Sequence, residues 1–334
     1  MTDPAQRAWR LVRDSDDPRH ALAEGLSPGE LQSLLMDVSQ RRAAGVTPGR
    51  LADRWAADRF VQAAGCDPRR VSALEARLWA LLPDEFDGID LSPVTPLGTC
   101  SALGPVSQHK VISTTRGSEV VSDPTNVLAL EAGRRRRISS AESVHLAACH
   151  RVLRGQPFGD GMLQHFRLFA LVSSARDQGS GSTEARLLTA HLRFWTRVLS
   201  DLLPESSTAV SYTVFGFPPL TERIRDTVLP ALEPLPENVT VAEDAERERA
   251  RGYYERSAIR IEAGGSANTG PTGEIGPTGE IGAALAIGAA LEIGDGGFTD
   301  WTARLLNNAK ERCLISCVAT ERLAAAVAAA EVSR

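Results

Sequence analysis

Residues 293–323 read IGDGGFTDWTARLLNNAKERCLISCVATERL, and this stretch decides the predicted fold. The pair Gly296-Gly297 predicts a turn in which backbone comes close to a ligand or to another strand. The apolar run Cys313–Val318 is typical of a strand buried on both faces. Thr320 then predicts the start of a helix with Arg322 on its first turn. A guanidinium fixed there would be available to bind a phosphate.

This order of elements resembles the third signature motif of class II aminoacyl-tRNA synthetases in the histidyl form. The motif consists of a Gly-Gly turn with Asp300, a strand, and then Glu321-Arg322-Leu323. The resemblance implies that Arg322 contacts the γ-phosphate of ATP and that Gly296 and Gly297 belong to the same cofactor site. The alternative is that Arg322 lies on an ordinary solvated helix.

Just upstream, Arg249 to Tyr254 resembles the Tyr-Tyr signature that covers the substrate imidazole in the histidyl branch. The resemblance implies that Arg249, Tyr253 and Tyr254 bind substrate, although Gly252 replaces the Asp of the signature. An alternating strand is predicted over Ser257 to Ala263. Between the two motifs lie four Gly-initiated hexads over 270–293. They are too few for a solenoid, so they are interpreted as a lengthened hairpin connection, with a binding role as the alternative.

The segment from His150 to Pro157 resembles the second signature motif. It begins at the end of a strand predicted over Val144 to Leu153. Arg151 corresponds to the Arg that binds the α-phosphate of ATP in the family. Leu153 stands where the family has the Glu that accepts from adenine. A returning strand is predicted over Leu163 to Ser174, where Leu168 and Val172 replace the Gln and Glu that hold histidine. We therefore expect that histidine is not bound in the family's usual way.

The segment Val120 to Thr125 resembles the loop that lies over the amino-acid pocket of the family. The resemblance implies that Asp123 and Thr125 hold the substrate amino group, although Val121 stands at the position of the loop's Arg. Asp-Pro-Thr is also a common turn sequence, so a plain turn remains the alternative. The basic run Arg134 to Arg137 is interpreted as a solvated loop.

The N-terminal part predicts helices that begin at Ser27-Pro28, Thr47-Pro48 and Asp67-Pro68. The third helix leads into an extended, proline-containing segment over Phe86 to Leu97 that belongs at a sheet edge. Helix and strand together resemble the first motif, with Pro93 nearest to its proline. In the family this motif builds the dimer interface, so the resemblance implies a homodimer.

Composition bounds the remaining possibilities. The chain has 334 residues, of which 43% are hydrophobic and 24% charged, and these fractions are typical of a soluble globular protein. A net charge of −5 gives no general reason to expect nucleic-acid binding. The sequence shows neither a membrane span nor a secretory leader, so we expect a cytoplasmic protein. The five cysteines form no C-x-x-C pair and the six histidines lack ligand spacing, so free thiols and no metal site are predicted.

Taken together, the sequence predicts an α+β fold with a mostly antiparallel sheet of about six or seven strands flanked by helices. Residues 1–70 form a helical extension and residues 71–334 a synthetase-like core, with 264–294 as an insertion. The core is followed by no anticodon-binding domain, so tRNA charging is not expected. The resemblance implies a paralogue that binds a nucleotide or an amino-acid-like metabolite and acts on a partner protein. The alternative is an adenylate-forming ligase that uses ATP with Mg²⁺.

Overall fold

The computed structural model describes residues 4–156, 158, 162–247, 251–264 and 290–332. The strands are β1 Asp87–Gly88, β2 Val94–Pro96, β3 Ser118–Val120, β4 Val144–Leu153, β5 His165–Arg176, β6 Thr208–Val214, β7 Val239–Glu243, β8 Glu255–Ala263, β9 Leu291–Thr299 and β10 Glu311–Ala319. The helices are α1 Pro4–Arg13, α2 Pro18–His20, α3 Pro28–Ala44, α4 Pro48–Ala57, α5 Pro68–Leu81, α6 Thr99–Leu103, α7 Pro124–Ile138, α8 Ser182–Leu202, α9 Pro218–Arg223, α10 Leu229–Leu232, α11 Trp301–Leu306 and α12 Thr320–Val332. Short 3₁₀ or π turns cover Ala21–Gly25, Gln108–Lys110 and Ile224–Val228.

One large sheet organises the fold, and its strand order is β1-β4-β5-β10-β9-β8-β6-β7. The prediction of six or seven mostly antiparallel strands is wrong, because the sheet has eight strands and is mixed. The edge strands β1 and β7 pair in parallel with β4 and β6, whereas the five inner pairings are antiparallel. Both edge pairings join segments distant in sequence, so local periodicity does not reveal them.

The predicted central strand is confirmed as β10, which lies between β5 and β9. Its residues Cys313, Leu314 and Val318 are almost completely buried. The sheet buries both of its faces: Leu78, Phe194 and Leu323 are part of one core cluster. On the opposite face, Ala132 of α7 and Trp301 of α11 belong to a second cluster. The α7 face is called the front face here, and the face covered by α5, α8 and α12 the back face.

The predicted turn at Gly296-Gly297 is wrong, because both residues lie inside β9. An added Cβ on Gly296 would lie 2.4 Å from the Ile315 carbonyl oxygen, and one on Gly297 would lie 2.5 Å from Cγ of Tyr254. The glycines are therefore needed for close packing within the sheet, which overrides the low strand propensity of glycine.

The Arg134–Arg137 run is not a loop, because it forms the last turn of α7. Arg136 is 2% exposed and donates two hydrogen bonds of 2.9 Å to the buried carboxylate of Glu311 on β10. Arg134 remains on the surface and pairs with Glu131. One arginine of the run thus anchors α7 to the sheet while its neighbours are solvated.

The predicted N-terminal helices are confirmed as α3, α4 and α5, and Ser27 and Glu30 form a capping box at the start of α3. Ala8, Leu26 and Leu34 form a small core of their own. The segment after α4 reaches the large sheet, since the Arg59 carbonyl accepts from the backbone N–H of Gln164 at 3.2 Å. Most of the hexad segment 270–293 lies outside the described residues. Within the described chain, no helix combines the length and apolar character that crossing a membrane requires.

Candidate functional site

The front face of the sheet contains a cavity of about 390 Å³. Its walls come from the α6 region, the start of α7, the end of β4 and the central strands. The lining residues are Cys100, Val106, Lys110, Ser122, Asp123, Thr125, Asn126, Arg154, Gln156, Tyr253, Tyr254, Asp295, Ile315, Ser316 and Cys317. Four of the residues predicted to bind substrate are among them: Asp123, Thr125, Tyr253 and Tyr254.

Asp123 and Thr125 lie at the N-terminus of α7, on the cavity wall. Asp123 Oδ1 accepts from the backbone N–H of Thr125 at 2.9 Å and from its hydroxyl at 2.7 Å. The segment is therefore a helix start and not a plain turn, because Asp123 is the N-cap of α7. Its second carboxylate oxygen lies 3.5 Å from Nη2 of Arg154. A carboxylate and a guanidinium thus face the cavity side by side.

Arg154 is a cavity residue that the sequence motifs did not single out. Its Nε donates to the Ser122 carbonyl at 2.9 Å, and its guanidinium lies 5.1 Å from the centre of the Phe166 ring. Two attachments to the protein therefore fix its direction. Strand alternation is the signal that could have found it, because Arg154 and Arg151 are three residues apart and such residues point to opposite faces.

Tyr253 and Tyr254 precede β8 and close one end of the cavity. Their rings are 4.9 Å apart between centroids and nearly perpendicular, at 89°. The Tyr254 hydroxyl donates to Oδ2 of Asp295 at 3.1 Å. Burial raises the pKa of both phenols, so both remain neutral hydrogen-bond donors at neutral pH.

Asp295 lies on β9, immediately before the two glycines, and its carboxyl group lines the same cavity. Desolvation raises the pKa of Asp295 to about 6, and the nearby negative charge of Glu292 adds to this effect. Because Gly297 has no side chain, the Tyr254 ring fits against it, and the hydroxyl of this ring donates to Asp295. The sequence signal for this site residue is an acidic side chain inside a Gly-rich apolar segment.

The predicted phosphate-binding arginines do not line the cavity. Arg151 donates to Oε1 of Glu321 at 2.7 Å and to Nδ1 of His165 at 2.8 Å. Arg322 lies on the first turn of α12, as predicted, and its Nη1 donates to the Glu292 carbonyl at 3.3 Å. Arg151 thus binds the first turn of α12 and the start of β5, Arg322 binds β9, and neither side chain lines the cavity.

The remaining predicted positions contribute differently. Gly296 and Gly297 act in packing, as described above. Arg249 lies outside the described residues. Among the residues that the structure describes, no group of three or more His, Cys, Asp or Glu side chains is placed to hold a metal ion.

The buried Arg247 is a further residue that the sequence motifs did not indicate. Its positive charge lowers the pKa of Asp295, which opposes the effect of burial.

Comparison with known proteins gives the fold class. No protein-family profile and no curated protein sequence matches this chain. Many solved structures are similar to it, and three that cover most of its length are described here. The apo histidyl-tRNA synthetase of S. aureus superposes with a TM-score of 0.51 at 12% identity, covering 78% of this chain and 65% of the synthetase. An ATP phosphoribosyltransferase regulatory subunit/histidyl-tRNA synthetase from Bacillus halodurans gives 0.53 at 11% identity, covering 80% and 82%. A histidine–tRNA ligase subunit from Alicyclobacillus acidocaldarius gives 0.52 at 12% identity, covering 81% and 96%.

These similarities show a class II synthetase-like fold of the kind found in histidyl-tRNA synthetase and its regulatory-subunit paralogues. The chain spans about two thirds of the length of the S. aureus synthetase. At these identities the likeness concerns the fold, and function has to be argued from the cavity.

Proposed function

We propose that this chain is a non-catalytic, synthetase-like protein that binds a small amino-acid-like metabolite in the front-face cavity and transmits its presence to a partner protein. The observation that carries the proposal is the convergence of Asp123, Thr125, Tyr253 and Tyr254 on one cavity. These residues come from two separate segments of the chain, and the sequence resemblance assigned all four to substrate binding.

The polar groups suit a zwitterion. The Asp123 carboxylate accepts from an ammonium group, and the neighbouring Thr125 hydroxyl supplies a further oxygen. Arg154 offers a fixed guanidinium to the ligand carboxylate, which it can bind in a bidentate manner. Tyr253 and Tyr254 supply apolar surface around the rest of the ligand. A few polar groups placed around a cavity are typical of small-molecule sites.

The surroundings of Arg151 support a binding role over catalysis. Arg151 is already paired with Glu321, and their side chains are 36% and 20% exposed. A phosphate would have to displace this carboxylate. Leu153, at the position of the adenine-binding Glu, offers no side-chain acceptor. The family's ATP-binding residues therefore do not form a preorganised site.

Calorimetric titration of the wild type with individual amino acids tests the proposal. Asp123→Asn is the informative variant, because Asn also caps helices well and α7 should remain intact. Losing a charge-assisted hydrogen bond should weaken binding about tenfold or more. Asp300→Asn is the matched control, since Asp300 is not a cavity residue and pairs with Arg304. If no amino acid binds the wild type, or if both variants bind alike, the proposal is wrong.

A second candidate is an adenylate-forming ligase that activates a carboxylate with ATP and Mg²⁺. Arg322 favours it, because the residue lies on the first turn of a helix directly after the buried strand, as the third motif requires. ATP–pyrophosphate exchange with a panel of amino acids tests this activity. Exchange that disappears in both Arg151→Ala and Arg322→Ala would establish the ligase and overturn the non-catalytic proposal.

The homodimer predicted from the first motif belongs to the proposal as well. Its expected interface includes the edge strand β1, which among the described strands pairs with β4 alone. Sedimentation equilibrium of the purified chain, which has a mass of 35.8 kDa, separates monomer from dimer directly.

A further inference from the structure

The cavity contains a further carboxylate that the synthetase resemblance does not assign. Asp295 lies there with one carboxylate oxygen bound by the Tyr254 hydroxyl at 3.1 Å. Tyr253 lines the same cavity, and its ring stands perpendicular to that of Tyr254. A carboxylate beside aromatic rings in a cavity attracts cations, through charge and through the ring quadrupoles.

Asn126 provides an independent sign that the cavity is built for a ligand. It is 3% exposed and lines the cavity. Within the described part of the chain, its Nδ2 has no hydrogen-bond partner. A buried amide donor without a partner costs free energy, which a ligand with an acceptor would recover. The strongest acceptor on an amino acid is its carboxylate, for which Arg154 is also available.

We infer, on the basis of the proposed function, that the cavity selects a basic amino acid with an aliphatic cationic side chain. Its α-ammonium binds Asp123, its carboxylate binds Asn126 and Arg154, and its side-chain cation binds Asp295 beside the two tyrosines. Asn126 and Asp295 are thus the residues that determine specificity. The cavity volume of about 390 Å³ accommodates a ligand of this size.

The resemblance supplies no polar partner for an imidazole, because two residues of β5 are apolar. Leu168 and Val172 stand where the resemblance places the polar residues that hold histidine, and they are 4% and 0% exposed. Leu168 packs with Val121 and Val152 in an apolar cluster. A permanently charged ammonium also compensates a desolvated carboxylate at pH 8, where free imidazole is neutral.

Ionisation of Asp295 gives the inference a pH signature. The charged or titratable groups around Asp295 include Glu292, Arg247, Tyr253, Tyr254, Asp123 and Cys317, and Arg260 lies opposite it on β8. Its pKa is about 6, so the carboxylate needed for a cationic ligand is mostly protonated at pH 5. Affinity for lysine should rise about tenfold between pH 5 and pH 7.5. Affinity for a neutral side chain should not follow this titration.

The experiment compares L-lysine with L-norleucine, which has the same aliphatic chain without the terminal amine. Calorimetry at pH 7.5 should give an affinity for lysine at least tenfold above that for norleucine. Asp295→Asn should remove this preference, because the terminal amine of lysine then has no carboxylate to bind. Asn126→Leu should weaken both ligands, because its amide serves the carboxylate that they share. Asp300→Asn should bind like the wild type, and the melting temperature of each unliganded variant verifies folding.

The possible failures are distinguishable. Equal affinities for lysine and norleucine, or lysine affinity that falls as pH rises from 5 to 7.5, would overturn the inference and leave the proposed function intact. Histidine binding as tightly as lysine at pH 8 would also overturn it. If no amino acid binds the wild type, the proposed function fails and the inference fails with it.

Discussion

The buried ion pair between Arg136 and Glu311 makes a quantitative prediction about what holds α7 on the sheet. Both side chains are almost completely buried, at 1% and 2% exposure, and two hydrogen bonds of 2.9 Å join them. Replacing Glu311 by Gln keeps the shape but leaves the Arg136 cation without a counter-charge. Removing one partner of a buried pair costs about 3–5 kcal/mol. That is a large part of the 5–15 kcal/mol or so by which proteins are usually stable.

Urea unfolding, followed by circular dichroism, measures this loss. Glu311→Gln should lower the free energy of unfolding by the stated amount, whereas Arg136→Met with Glu311→Leu should lose less, since the double variant buries no unpaired charge. Arg134→Met is the matched control from the same arginine run, because Arg134 is on the surface. If Glu311→Gln and Arg134→Met have the same small effect, the pair does not anchor α7 and the reasoning is refuted.

Three further predictions concern β9 and the core. Gly297→Ala places a Cβ 2.5 Å from the Tyr254 ring, so the free energy of unfolding, measured by thermal unfolding, should fall by about 1–3 kcal/mol. Gly65 has open space around it, so Gly65→Ala should change this free energy little, and equal effects would refute the packing role of Gly297. The pKa of Asp295 is raised from 3.8 to about 6, so the free energy of unfolding should decrease as pH rises from 4 to 6. Asp295→Asn should reduce this decrease; the same pH dependence in both proteins would contradict the raised pKa. Burial lowers the pKa of His191 well below 6.5, so wild-type stability should fall as pH drops below 6.5, and His191→Gln should reduce this fall; an identical acid limb in both proteins would rule it out.

Much of the secondary structure could be predicted because its signals are local. The strand predicted over Val144 to Leu153 is β4 with the same bounds, and the helices at Pro28, Pro48 and Pro68 begin at the predicted residues. Capping residues and apolar runs act within a few positions of the chain, so the sequence displays them directly. The motif order was equally informative, because it led to the class II synthetase-like fold.

The errors arose where distant residues decide the local structure. Gly296 and Gly297 were predicted to form a turn, yet they lie inside β9, since only glycine fits against β10 and Tyr254. The Asp-Pro-Thr segment carried a valid helix-start signal, but the arginines that follow were interpreted as a loop and not as part of α7. The parallel edge pairings could not be predicted, because strand pairing depends on contacts between remote segments.

The sequence by itself determined the order of elements, the helix starts, the buried central strand and four residues of the cavity. Only the tertiary structure decided which side chains meet there. Residues an odd number of positions apart along a strand point to opposite faces, so Arg151, held by Glu321, lies on the other side of the sheet from the cavity lined by Arg154. Asp295 and Asn126 belong to the site because of their burial and their neighbours. No local sequence motif contains this information, although it determines the chemical character of the carboxylate and the amide.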